Sequence, residues 1–277
     1  MRIFQNISAA FAIIFSTFFG FYASAKTALL VTHYGSSDND TRAVTIDKIT
    51  ADMKDSFPEI EVREAYISPI VRDNLAKKGI IKDSPVEALL KLRVEGYDSV
   101  YVQSTTIIDG GEMAEVRKSV AETSQFFNFI KVGNSLLHTP DDCMELVEIL
   151  AEHQSEPDEI IIYVGHGNFL PSTATYTQLD YIFKNKGYER FYVSTIEGYP
   201  DAKATLHEIG MKSKIKKVKL IPLLLVCGNH TRNDIANDFA DEFKSAGFDV
   251  EVVMRGLAET EAVRKMYVAK AMRLMSE

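Results

Sequence analysis

The feature that most constrains this chain is a repeated alternation. Eight short runs of apolar, β-favouring residues punctuate it: "TALLVT" (27–32), "IEVREA" (60–65), "DSVYVQ" (98–103), "FIKV" (129–132), "EIIIYV" (159–164), "RFYVST" (190–195), "KVKLIPLLLV" (217–226) and "DVEVVM" (249–254). Helical patterns lie between them. Ala43, Ile46, Met53 and Phe57 recur near one face of a 3.6-residue period. "SPVEALLKLRVEG" opens with Ser84 as N-cap, Pro85 in the first helical position and Glu87 closing a capping box, and Gly96 ends it. "TPDDCMELVEIL" repeats that opening with Thr139, Pro140 and Asp142, and "AETEAVRKMYVAKAMRL" gives an amphipathic tail helix. Strands alternating with helices imply crossover units and mainly parallel sheet.

The two halves echo each other. "LLVTHYGSSDNDT" resembles "IIYVGHGNFLPST", "EVREAYISP" resembles "FYVSTIEGYP", and "VYVQSTTIIDGGE" can be set against "LIPLLLVCGNHTRND", all in the same order. The expected fold is therefore α/β with two similar lobes, each a mainly parallel sheet flanked by helices, with a cleft between them. The lobes are expected at 26–135 and 136–277, the second carrying the tail helix. Ligands of open parallel sheets bind beyond the carboxyl ends of the strands, and two facing lobes turn those ends into a cleft.

Residues 1–25 are read apart from this fold. One positive charge (Arg2), an apolar stretch from Ala9 to Phe21 and an Ala23-Ser24-Ala25 ending form the pattern of a cleaved secretory signal peptide. The stretch of roughly 13 residues falls short of the about 20 that a helix needs to span a bilayer. The expectation is an exported, periplasmic protein without a stable membrane anchor once the leader is removed. A formal charge of −8 argues against nucleic acid as a partner. Cys143 and Cys227 are few enough to exclude a disulfide scaffold, although they could pair after export.

Three strand ends of the second half carry groups that bind metals: His166 between two glycines after "IIYV", Glu197 in "EGYP", and His230 in "CGNHTRND". Neighbouring strands run about 4.8 Å apart, so residues at their ends can converge. Two imidazoles and a carboxylate suit a divalent first-row metal and leave coordination positions open. Each residue also has a structural reading: a loop histidine, a carboxylate capping a helix that starts near Pro200, and a histidine bonded to Asn229 or Asp234.

Here the sequence resembles the anaerobic sirohydrochlorin cobalt chelatases of cobalamin synthesis, relatives of ferrochelatase. The likeness runs from about Ala28 to Glu259 and is carried by "GHGN" (165–168), "TATYTQLDYIF" (173–183), "TIEGYPDAKATL" (195–206), "LIPLLLVCGNHTRNDIAND" (220–238) and "GLAE" (256–259). It implies a cleft that holds a tetrapyrrole, with His166, Glu197 and His230 as the metal site. The chain departs from the usual pattern at Asn168, Cys227, Asn229, Thr106 and Met113, and in "THYGSS".

The implied activity is insertion of Co²⁺, or Fe²⁺, into a tetrapyrrole. The metal is a substrate and no organic cofactor is implied. His166 is expected as first ligand and proton acceptor, with Glu197 as the second catalytic group. His33, the first-lobe counterpart of His166, is expected to face the cleft and bind substrate, as are Tyr199 and Arg232; Arg42 and Tyr176 are weaker candidates. His138, His153 and His207 read as surface residues. Self-association into a homo-oligomer is left open. Two other classes compete. A non-catalytic periplasmic carrier of metal, haem or tetrapyrrole would use the same cleft. A zinc hydrolase ranks last, because neither H-E-x-x-H nor G-x-S-x-G occurs.

Overall fold

A computed structural model describes residues 26–152, 156–228 and 233–277. All eight expected strands form. In the first lobe they are β1 (Lys26–His33), β2 (Glu61–Tyr66), β3 (Tyr97–Ser104) and β4 (Phe129–Val132); in the second, β5 (Glu159–Gly167), β6 (Phe191–Glu197), β7 (Lys217–Pro222) and β8 (Asp249–Val252). The spatial orders are β2-β1-β3-β4 and β6-β5-β7-β8, with every pairing parallel. Each lobe thus repeats one topology, and β1 and β5 occupy the same inner position. Their residues from Ala28 to Val31 and from Ile160 to Val164 are buried, as expected of parallel strands covered on both faces.

The helices are α1 (Asn39–Val44), α2 (Ile46–Ser56), α3 (Pro69–Ala76), α4 (Pro85–Val94), α5 (Gly111–Thr123), α6 (Pro140–Ala151), α7 (Ala174–Asn185), α8 (Ala202–Lys212), α9 (Ala240–Ser245) and α10 (Glu261–Ser276). A π-helical stretch, Asp234–Phe239, precedes α9. Both expected capping boxes are present, at Ser84 with Glu87 and at Thr139 with Asp142. These satisfy backbone donors that would otherwise be orphaned at the helix starts.

Two expectations are corrected. The run "KVKLIPLLLV" is a strand only as far as Pro222, after which Leu223–Val226 leave the sheet. Proline has no N–H for the ladder, so β7 ends there. The tail helix α10 is assigned by sequence to the second lobe but packs on α2 and β3 of the first, as well as on α6. Its Arg264 bonds Asp52 at 2.6 Å, its Tyr267 hydroxyl donates to Thr105 O at 2.9 Å, and its Lys270 pairs with Asp142 at 2.6 Å. Val263, Met266, Tyr267 and Ala271 join one apolar cluster with Leu29 and Val31 of β1, Ile49 and Met53 of α2, and Ile161 and Tyr163 of β5. The two lobes therefore share a continuous core along which α10 runs. Cys143 and Cys227 are both buried and are not joined by a disulfide.

Candidate metal and substrate site

The second lobe places His166 and Glu197 near the ends of adjacent strands. Gly165 pairs with Thr195 and Gly167 with Glu197 in the β5–β6 register, so both residues emerge at the carboxyl edge of adjacent strands. Both are exposed. On the other flank of β5, Val164 pairs with Pro222 and accepts a hydrogen bond from Leu223 N at 2.8 Å. That contact starts the loop leading to His230. His230 and Arg232 lie outside the described residues, as does His153. Among the described residues no three metal-ligating side chains form a group that could hold a metal ion.

The glycines around His166 are explained by what they touch. Gly167 has φ +74°, and a Cβ there would overlap the carbonyl oxygen of Glu197. A side chain at Gly165 would overlap the ring of Tyr176. Small residues at these positions let the β6 end and α7 pack directly against β5. The neighbouring loops are held as firmly. Asn168 Oδ1 accepts Leu170 N at 2.8 Å and its Nδ2 donates to Ser172 at 3.3 Å. Pro200 O accepts Thr195 N at 2.7 Å together with the hydroxyls of Ser194 and Thr195.

His166 Nδ1 lies 3.1 Å from Gly167 O. A carbonyl only accepts, so Nδ1 carries the proton and Nε2 keeps its lone pair. Histidines that bind metals commonly donate their second nitrogen in this way, which fixes tautomer and ring direction.

The remaining candidates divide. His33 does not face the cleft. It is 0% exposed, with Nδ1 3.0 Å from Thr105 Oγ1 and Nε2 3.1 Å from Thr50 Oγ1. Burial lowers its pKa to about 4, against a pull upward from Glu64. It is a satisfied core histidine, because helix α2 and the loop after β3 close over the end of β1. Tyr199 stands 62% exposed beside Glu197, and Phe169, not anticipated from sequence, stands 84% exposed beyond His166. Tyr176 is buried and forms wall rather than surface; burial pushes its hydroxyl up to about 12. Arg42 is engaged by Asp47 at 3.5 Å. His138 and His207 are exposed, as expected.

Comparison with known proteins identifies the fold and the family. The fold is that of the chelatases: SirB from Bacillus subtilis with Fe³⁺ superposes with a TM-score of 0.66 at 12% identity, over 90% of this chain and 95% of that one. A second SirB structure, from Bacillus subtilis subspecies spizizenii in complex with cobalt, superposes with a TM-score of 0.63 at 11% identity, covering 91% and 96%. In sequence, the profile of the cobalt chelatase (CbiK) family matches residues 27–276, and the chain belongs to that family. The sirohydrochlorin cobaltochelatase of Salmonella typhimurium is 31% identical over 251 residues, covering 88% of this chain and 94% of the relative. The sirohydrochlorin cobaltochelatase CbiKC of Nitratidesulfovibrio vulgaris is 29% identical over 245 residues, covering 85% and 86%.

Proposed function

We propose that this protein is a sirohydrochlorin cobaltochelatase that inserts Co²⁺ into the macrocycle on the way to cobalamin. His166, Glu197 and His230 hold the entering ion. The observation that carries this reading is the His166 ring, anchored through Nδ1 to Gly167 O and free at Nε2, with Glu197 at the end of the adjacent strand.

Metal insertion has two physical obstacles. The ion must exchange water for ring nitrogen in stages, and the ring must lose its two N–H protons. An imidazole–carboxylate–imidazole set holds the ion while leaving positions open toward the ring. Imidazole must be neutral to bind, so ion binding releases protons and weakens in acid. Tyr199 and Phe169 offer aromatic faces to the flat ring, and Arg232 is assigned to its acidic substituents. Such ligands bind nickel or zinc at least as tightly as cobalt, so selection of Co²⁺ over other ions rests on supply or on the insertion step. Fe²⁺ is a second substrate on the same grounds. The leader-like residues 1–25 support action outside the cytoplasm, which cell fractionation with antibody against the chain checks.

The test is to mix the protein with sirohydrochlorin and Co²⁺ and follow the absorbance change of insertion. Turnover above the spontaneous rate, lost in Glu197→Gln, supports the enzyme. Stoichiometric uptake with no turnover overturns it in favour of a carrier.

A further inference from the structure

A flat ring taken up between two lobes needs the edge that carries the metal ligands to stand at a fixed distance from the wall it faces. Asn168 is placed to fix that distance. It lies two residues beyond His166, is half-buried, and meets three loops at once.

Within its own loop, Asn168 Oδ1 accepts Leu170 N at 2.8 Å, its Nδ2 donates to Ser172 Oγ at 3.3 Å, and Thr173 N closes the turn on Leu170 O at 3.0 Å. Toward β6, its carbonyl presses on the residue after Glu197: a Cβ on Gly198 would lie 2.4 Å from Asn168 O. Toward the first lobe, its amide stands over Gly110, where a Cβ would lie 3.4 Å from Nδ2.

The first-lobe side of this contact is a firm wall. Leu136 N donates to Thr106 O at 2.9 Å and Leu137 N to Ile107 O at 2.8 Å, which ties the loop after β3 to the segment after β4. Ile108 belongs to the core that both lobes share. Asp109 is clamped by both guanidinium nitrogens of Arg117 at 2.6 and 2.5 Å. Gly110 itself is buried, with an extended backbone at φ −105° and ψ −157°. Any residue adopts that conformation, so the missing side chain at Gly110 serves space: it leaves room for the Asn168 amide.

We propose that Asn168 is a positioning residue that sets the width of the cleft, seated against Gly110 and braced on Leu170 and Ser172. It indexes the ends of β5 and β6 against the first lobe, so that the gap admits a flat tetrapyrrole. This inference rests on the chelatase reading given above. A rigid macrocycle touching both lobes senses the gap, whereas an ion held on second-lobe ligands does not. The contact therefore acts on ring affinity and leaves ion affinity alone.

The test is a double-mutant cycle read in KM for sirohydrochlorin, with Co²⁺ binding followed by equilibrium dialysis. Gly110→Val drives a branched side chain into the amide and should raise that KM at least about fivefold, the lower end of what overpacking costs. Co²⁺ binding should stay within about twofold of wild type. Gly110→Ala, whose methyl meets the amide at ordinary contact distance, should change little. Asn168→Ala removes the brace and should raise KM as well. In the double variant Gly110→Val with Asn168→Ala, the valine has room, so the combined rise should fall short of the product of the single rises by at least about threefold. Effects that simply multiply would mean that the two positions act separately, and overturn the proposal. So does a Gly110→Val protein with KM within about twofold of wild type, or an equal loss of Co²⁺ binding. If circular dichroism shows Gly110→Val unfolded, Asn168→Gln takes its place: it pushes on the same contact from the second lobe, with the same expected rise in KM and the same criterion. A wild-type protein that never inserts cobalt overturns the functional reading, and this inference with it. An active wild type with multiplying effects overturns this inference alone.

Discussion

His33 and His166 end the same inner strand of two lobes that share one topology, yet they have opposite fates. In the first lobe, Thr50 of α2 and Thr105 after β3 bond both ring nitrogens, and the ring is sealed from water. In the second, one nitrogen is tied to the adjacent carbonyl and the ring stays in solvent. The strand end supplies a position. What closes over that position decides whether the histidine becomes core or chemistry.

The sharpest way to break the comparison is to remove each ring. His166→Ala should reduce cobalt insertion by at least about 10²-fold, since even outer partners of metal ligands are worth 10–100-fold. Its melting temperature should barely move, because the side chain packs against little. His33→Ala should do the reverse. Thr50 Oγ1 keeps Glu64 and Thr105 Oγ1 keeps Thr32 O, so the cost is that of the cavity left by a fully buried ring, about 2–5 kcal/mol, while kcat is retained. Activity assays beside thermal melts check both. Equal losses of activity in the two variants would mean that the lobes are functionally symmetric.

Gly167→Ala comes next in size. The added Cβ would meet the carbonyl oxygen of Glu197, and φ +74° is strained for alanine. Strain of this kind costs about 1–3 kcal/mol, with a similar amount for overpacking. Relief requires the β6 end to move, so Glu197 should lose its place. Melts and Co²⁺ binding measured together test this: stability falling while binding holds would mean that the register at Glu197 does not matter to the site.

Much of this contrast was legible in the sequence, for definite reasons. Parallel strands buried on both faces read as apolar runs, and helix starts carry their caps in adjacent residues such as Ser84 and Glu87. That His166 and Glu197 lie near the ends of strands was visible in the apolar runs that precede them. The burial of His33 did not, because its partners Thr50 and Thr105 are distant in sequence and neutral in character. The periodicity of α10 announced a buried face but not that α2 and β3 would receive it.

The smallest effect concerns acid. An unfolded histidine titrates near 6.5, whereas His33 in the fold is held near 4, first by burial and further by Lys82, with Glu64 opposing. The folded state therefore resists a proton that the unfolded state accepts. Stability from this group is complete above pH 6.5 and is lost as pH falls toward 4. Linkage across that gap amounts to about 2 kcal/mol between pH 7 and pH 5. Glu64, paired with Lys82 and hydrogen-bonded by Thr50, contributes in the same direction, but it is a carboxylate held below its ordinary value despite the opposing effect of burial, so its loss comes below pH 4.5. Asp109 and Asp142, each held low by a basic partner, lose theirs lower still. Urea melts between pH 7 and pH 5 should thus show a slope that His33→Gln flattens, since glutamine keeps donor and acceptor without titrating. An unchanged slope in His33→Gln would show that the ring takes up its proton as readily in the fold as in the unfolded chain, and the contrast with His166 would have to be drawn from geometry alone.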